Sequence, residues 1–337
     1  MLSASLNFSD GTSMMDVTNS VASQMKSGDF SINPVNIINS LINSFTQEFK
    51  ELSYYIIVFF CIGMLTTILN LMGREFKSGS GEMAFFVCYS AAAATAVKCF
   101  TVCLEFSSNV VGNITDFITK LTPLLMTLII TTGKAVSVAA FNPVLSSAIY
   151  ILSLICNKCI LPLASYSVIL TIADNIGDNV RISGLCKMMN SSAKWILALS
   201  FTLFTGICAI YGFAAPSLDA VSAKTVKFAV GSLVPVVGGF LSETLETVIT
   251  SGKLMKNSIG AAGMVVMCII CITPILKIAT MALIVKISAI VVEPISDRRI
   301  SMLLSGISSA ITVLFAMVAT VSVLFVICIG IILAATG

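Results

Sequence analysis

Residues Val144–Ala173 read VLSSAIYILSLICNKCILPLASYSVILTIA, thirty residues with a single charge. Apolar side chains do not alternate here, so the run is helical and not a strand. As one straight helix it would measure ~45 Å, against a hydrocarbon core of ~30 Å. Pro162 sits near its middle, which predicts a helix that is kinked, broken or re-entrant. Ile259–Val292 poses the same problem, with Pro274.

The rest of the chain agrees. Charged residues make up 10% of the 337 and the mean hydropathy is +1.02, whereas a soluble domain carries roughly 25% charged residues. So few charges exclude a soluble enzyme, a disordered regulator and a secreted disulfide scaffold. The expected fold is all-α: a polytopic transmembrane bundle of roughly seven spans plus one re-entrant segment. The net charge of +3 is too weak to indicate nucleic acid.

Residues 1–53 are polar and open with no basic region followed by an apolar one, so no signal peptide is expected. Within them, Asn33 and Pro34 start an amphipathic helix of about 34–52. Its apolar stripe is Ile38, Leu41, Phe45, Phe49 and Leu52, suited to lie on the membrane. Residues 54–113 read as a transmembrane hairpin of Tyr54–Met72 and Met83–Phe106. Further spans are expected at Pro123–Ala140, Trp195–Ala215 and within Ile311–Ala335, with an amphipathic Arg181–Lys194 before the second of these.

The chain also repeats itself. Cys156-x-x-Cys159-x-x-Pro162 returns 112 residues later as Cys268-x-x-Cys271-x-x-Pro274, and Leu121-Thr-Pro123 returns as Leu233-Val-Pro235. Arg181-Ile-Ser-x-Leu185 matches Arg299-Ile-Ser-x-Leu303, and Ser191-Ser-Ala193 matches Ser308-Ser-Ala310. Two units follow, 114–215 and 226–335, inverted or parallel according to their crossings. In the second, Pro235, Gly238 and Gly239 break the helix before Glu243 and Glu246, and Lys134 of the first unit aligns with Glu246. This element is either re-entrant and lines a water path, or interfacial with a solvated acidic face.

Lys98, Lys134, Lys158 and Lys277 interrupt apolar runs. A charge at a span centre costs on the order of 3 kcal/mol, so each faces water, a partner group or the interface. Lys98 and Glu105, seven residues apart, share one helical face. With Glu243 and Glu246 these are the candidates for a polar path or gate, and Pro123, Pro162, Pro235, Pro274, Gly238 and Gly239 are the candidate helix breaks. There is no histidine, and the Cys-x-x-Cys pairs lie on apolar runs without further ligands. No metal, cofactor or catalytic residue is therefore expected. Walker A, Gly-x-Ser-x-Gly and His-Glu-x-x-His sequences are absent, and the chain reads as no enzyme.

Thr225–Gly260, TVKFAVGSLVPVVGGFLSETLETVITSGKLMKNSIG, and Glu293–Ile307, EPISDRRISMLLSGI, resemble the stage III sporulation protein AE family, and the similarity runs from about residue 50 to the C-terminus. That resemblance implies a multi-pass protein of the mother-cell membrane around the engulfed forespore. Its implied partners are the other stage III sporulation A-operon proteins and, across the intermembrane space, a forespore membrane protein. The implied assembly is a channel, or feeding tube, that sustains late forespore gene expression. The family supplies no catalytic residues to carry over. A small-solute permease and a structural platform for channel assembly are the alternatives, and a homo-oligomer is compatible with all three.

Overall fold

A computed structural model describes residues 45–50, 52–75, 80–131, 135–176, 182–233, 271–272 and 274–334. All the regular structure among them is helical. The elements are α1 (Tyr54–Glu75), α2 (Ser80–Thr131), α3 (Ala135–Ile155), a π-turn (Cys156–Ile160), α4 (Leu161–Ile176), α5 (Ser183–Leu233), α6 (Pro274–Val292) and α7 (Arg298–Ala334). Among the described residues, five stretches are long and apolar enough to cross a membrane: Phe45–Leu69, Phe85–Lys120, Pro143–Ile176, Pro274–Val292 and Arg298–Cys328. The expected span Trp195–Ala215 lies on α5, whose side chains from residue 211 onward fall outside the described residues.

Helix α7 is the axis of the bundle and packs against α2, α4 and α5. Leu303, Leu304, Ile307, Ile311, Leu314 and Met317 are all buried. Its nearly uniform apolarity therefore reflects enclosure by other helices as much as contact with lipid. It starts where Asp297 caps it: the Arg299 N–H donates to Asp297 Oδ1 at 2.9 Å. It pairs antiparallel with α6 through two serines one heptad apart. Ser301 Oγ donates to Ala289 O at 3.3 Å and Ser308 Oγ to Ala282 O at 3.2 Å. Such short side chains let two backbones approach closely in a membrane bundle.

Two expectations about helix breaks are corrected. Met83–Phe106 and Pro123–Ala140 were expected as separate spans, yet α2 continues from Ser80 through Pro123 to Thr131. The linking residues keep a buried stripe at helical spacing, Ser107, Val111, Ile114, Ile118 and Thr122, and this stripe holds the helix together. Threonine hydroxyls also bond back to the helix carbonyls on both sides of Pro123, Thr122 to Ile118 O and Thr127 to Pro123 O. The helix thus runs across residues 113 and 114, where the hairpin and the first unit were expected to meet.

Pro162 does not break the long run either. The chain stays helical from Ala135 to Ile176, and the turn before the proline widens into the π form. There the Leu161 N–H bonds Cys156 O, five residues back. Proline lacks an N–H and its ring crowds the carbonyl four residues earlier, and a π-turn shifts the bonding register at that point. Around Pro274, residues 271–272 and Pro274–Val292 are helical, and residue 273 between them lies outside the described residues. Residues 34–44 of the expected amphipathic helix, and the expected re-entrant element around Pro235, Gly238, Gly239, Glu243 and Glu246, lie outside the described residues, as does Lys134.

The turn from α4 to α5 and the turn from α6 to α7 lie at the same end of the bundle. Tyr89 ties them: its hydroxyl donates to Ile172 O at 2.8 Å and sits within electrostatic range of Asp174 and Arg299. The pair α4–α5 and the pair α6–α7 therefore run in the same sense.

Candidate functional site

Two polar loci and one polar surface stand out against the apolar bundle. The first locus is the junction at the turn end. Helix α1 approaches the α6–α7 turn through Gly63, where a Cβ would lie 3.0 Å from Val292 Cγ1, and through Thr67, whose hydroxyl donates to Ile295 O. From α2, the Phe85 ring lies under the Arg299 guanidinium, 5.2 Å from centroid to Cζ. That contact spreads the cation over an aromatic face. From α4, Asp174 Oδ1 accepts the Ile182 N–H and so closes the turn into α5. The next residue, Asn175, is buried, and its amide donates to Thr171 O, one turn earlier, at 2.8 Å. The string EPISDRRISMLLSGI thus supplies the turn, the helix cap, the arginine and the close-packed Gly306. These groups fix how α1, α2, α4, α6 and α7 meet, and they hold no nucleophile paired with a base.

The second locus lies at the other end of α1 and α6. Lys277 pairs with Glu48 at 3.2 Å, with the two side chains 12% and 25% exposed. Its ammonium also stands 5.4 Å from the centre of the Phe106 ring. This sequence candidate is therefore clamped between α2, α6 and the helical residues 45–50 that precede α1. Lys158 lies on the π-turn and is exposed. Beside it Asn157 bonds Ser153 O at 3.0 Å and accepts from Ser108 of α2 at 3.4 Å, so the widened turn is stitched to the neighbouring helix.

The polar surface is the outward face of α2. Ala91, Ala94, Lys98, Thr101, Glu105, Asn109, Asn113 and Asp116 recur at helical spacing and are all exposed. Between Val87 and Lys120 no large apolar side chain of α2 is exposed. The apolar side chains of this span turn inward instead: Tyr89, Ala96, Cys99, Phe100, Val111 and Ile114 are buried. Other helices do the opposite. Helix α1 exposes Ile57, Leu65 and Ile68, and α5 exposes Trp195, Leu199 and Leu203. Lys98 and Glu105 do share a face, and that face points away from the bundle.

The sequence reading missed the junction, because its members lie far apart in the chain and look ordinary singly. Only the motif Glu293–Ile307 signalled it. Among the described residues no group of three Cys, Asp or Glu side chains stands close enough to hold a metal ion.

The fold and these loci define a multi-pass helical membrane protein whose polar groups organise helix ends and one outward helix face. A family model described as stage III sporulation protein AE matches residues 15–336, and the chain belongs to that family. It is similar to the stage III sporulation protein AE of Bacillus subtilis (strain 168), with 26% identity over 309 residues, 91% of this chain and 77% of that protein. No solved structure matches. Family membership supports a role in sporulation.

Proposed function

We propose that this chain is an integral membrane subunit of a channel complex between mother cell and forespore, required for late forespore gene expression. It acts without catalysing a reaction, from the mother-cell membrane around the forespore. Its partners are other stage III sporulation A-operon proteins and, through the assembly, a forespore membrane protein. The observation that carries a channel role over a scaffold role is the polar face of α2. A span that hides its apolar residues and presents Thr101, Glu105 and Asn109 outward is built to meet water or protein.

The internal duplication fits this reading as a parallel one. The described parts of the two repeated strings, residues 182–185 and 299–303, lie at the starts of helices that leave the same end of the bundle. The span count of about seven and the re-entrant element at Glu243 and Glu246, the latter aligned in sequence with Lys134 of the first unit, belong to the same proposal.

The experiment is deletion of the gene in a spore-forming host, with a late forespore reporter and a reporter confined to the mother cell. Loss of the forespore signal after normal engulfment, with the mother-cell signal intact, is the expected result. Full forespore expression in the deletion strain contradicts it.

A further inference from the structure

The outward face of α2 runs from Ser90 to Lys120, a rise of ~45 Å. It therefore passes the whole depth of a hydrocarbon core of ~30 Å. Lysine, glutamate, aspartate and two asparagines recur along it. Against lipid each such group is costly, and snorkelling does not relieve the deepest of them. Lys98 sits about 20 Å along the helix from Phe85 at the turn end. Its Cβ leans toward the helix N-terminus, back into that depth and away from the Glu105 end. The face is also narrow, one helix stripe, flanked by the half-buried Val97, Val102 and Leu104. One stripe cannot surround water.

We propose that several copies of this chain assemble around an axis normal to the membrane, with their α2 faces turned inward on a shared aqueous path. Cyclic assembly of identical subunits places each residue of the stripe in a ring. Glu105 and Asp116 form acidic rings, Lys98 and Lys120 basic ones, and Thr101, Asn109 and Asn113 hydroxyl and amide rings between them. Rings of charged and polar side chains are how pores select and pass hydrated solutes. The apolar faces of α1 and α5 remain outside, toward lipid. This deepens the channel reading above, since it names the wall of the path and the partner that completes it.

The test uses the full chain in lipid vesicles, with a nitroxide on a cysteine introduced at Thr101 or Asn109, and at Ile57 or Leu199 for comparison. All four positions are exposed, so the label displaces no core group. Collision with a water-soluble nickel complex is expected to be severalfold more frequent at Thr101 and Asn109 than at Ile57 and Leu199. Dipolar coupling between labels on different copies is expected at the first two sites. Collision dominated by oxygen at Thr101 would place the face in lipid and overturn the proposal. Low access to both agents, without coupling between copies, would mean that another protein or another segment of this chain covers it, which overturns it equally. A wet, self-associated α2 in a protein whose deletion leaves forespore expression intact would sink the sporulation channel and keep the assembly.

Discussion

Gly306→Val is expected to prevent the folded chain from accumulating in the membrane. A Cβ at this position would overlap Thr171 Cγ2 and stand 3.0 Å from its Oγ1 and 3.3 Å from its Cβ. Thr171 cannot swing aside. It is β-branched, 5% exposed, and its hydroxyl donates to Ser167 O at 2.7 Å. Helix α4 would have to withdraw from α7, the helix around which the bundle packs. Overpacking costs about 1–3 kcal/mol for a single added group, and valine adds three carbons against a stiff neighbour. The milder Gly306→Ala is expected to lose about 2 kcal/mol in thermal unfolding in lipid or detergent. Combining it with Thr171→Ala removes Cγ2 and Oγ1 and is expected to recover most of that loss. Simple additivity of the two changes would show that the close approach does not determine stability.

Glu48→Gln is expected to destabilise the chain more than Lys277→Met does. Glu48 and Lys277 form a mostly buried pair, and the Lys277 ammonium also faces the Phe106 ring. Removing the carboxylate takes the counter-charge from a cation that is mostly withdrawn from water, which costs about 2 kcal/mol once the partial exposure of Glu48 is allowed for. Methionine at position 277 replaces the lysine stem with an apolar chain of similar length beside Phe106. The freed Glu48 is the more exposed partner and returns to solvent more easily. Thermal unfolding of both single variants and the double variant decides the point. Equal losses, or a larger loss for Lys277→Met, would mean that the pair is not what holds residues 45–50 to α6.

These effects show where the sequence was informative. The membrane class and the all-helical architecture follow from continuous apolar runs and sparse charge, which need no tertiary knowledge. The proline positions were legible and their consequences were not. Pro162 could kink, break or fold back a helix, and only the hydrogen-bond register at Cys156–Ile160 resolves the choice into a π-turn. Residues 107–122 fell between the expected spans Met83–Phe106 and Pro123–Ala140, although their inward stripe of Val111, Ile114 and Ile118 is helical in spacing.

Lys98 and Glu105 lie on one face of α2, because seven residues make two turns. Which way that face turns was beyond local pattern, since an amphipathic span can direct its polar side into the bundle or out of it. Gly306 gave no signal alone. The demand for glycine comes from Thr171 on another helix. The junction of Tyr89, Asp174 and Arg299 is likewise assembled from three distant segments.

The α2 face carries the account, and one paired measurement tests it most directly. In a spore-forming host, the chromosomal copy is replaced by the variant Lys98→Leu/Glu105→Leu, and both membrane accumulation and heat-resistant spores are counted. Both side chains are exposed, so leucine disturbs no packing within the bundle. The account predicts normal accumulation with spore numbers falling to those of the deletion strain. Normal accumulation with normal spore numbers would contradict it, because a face that can become lipid-like without consequence does not line a path.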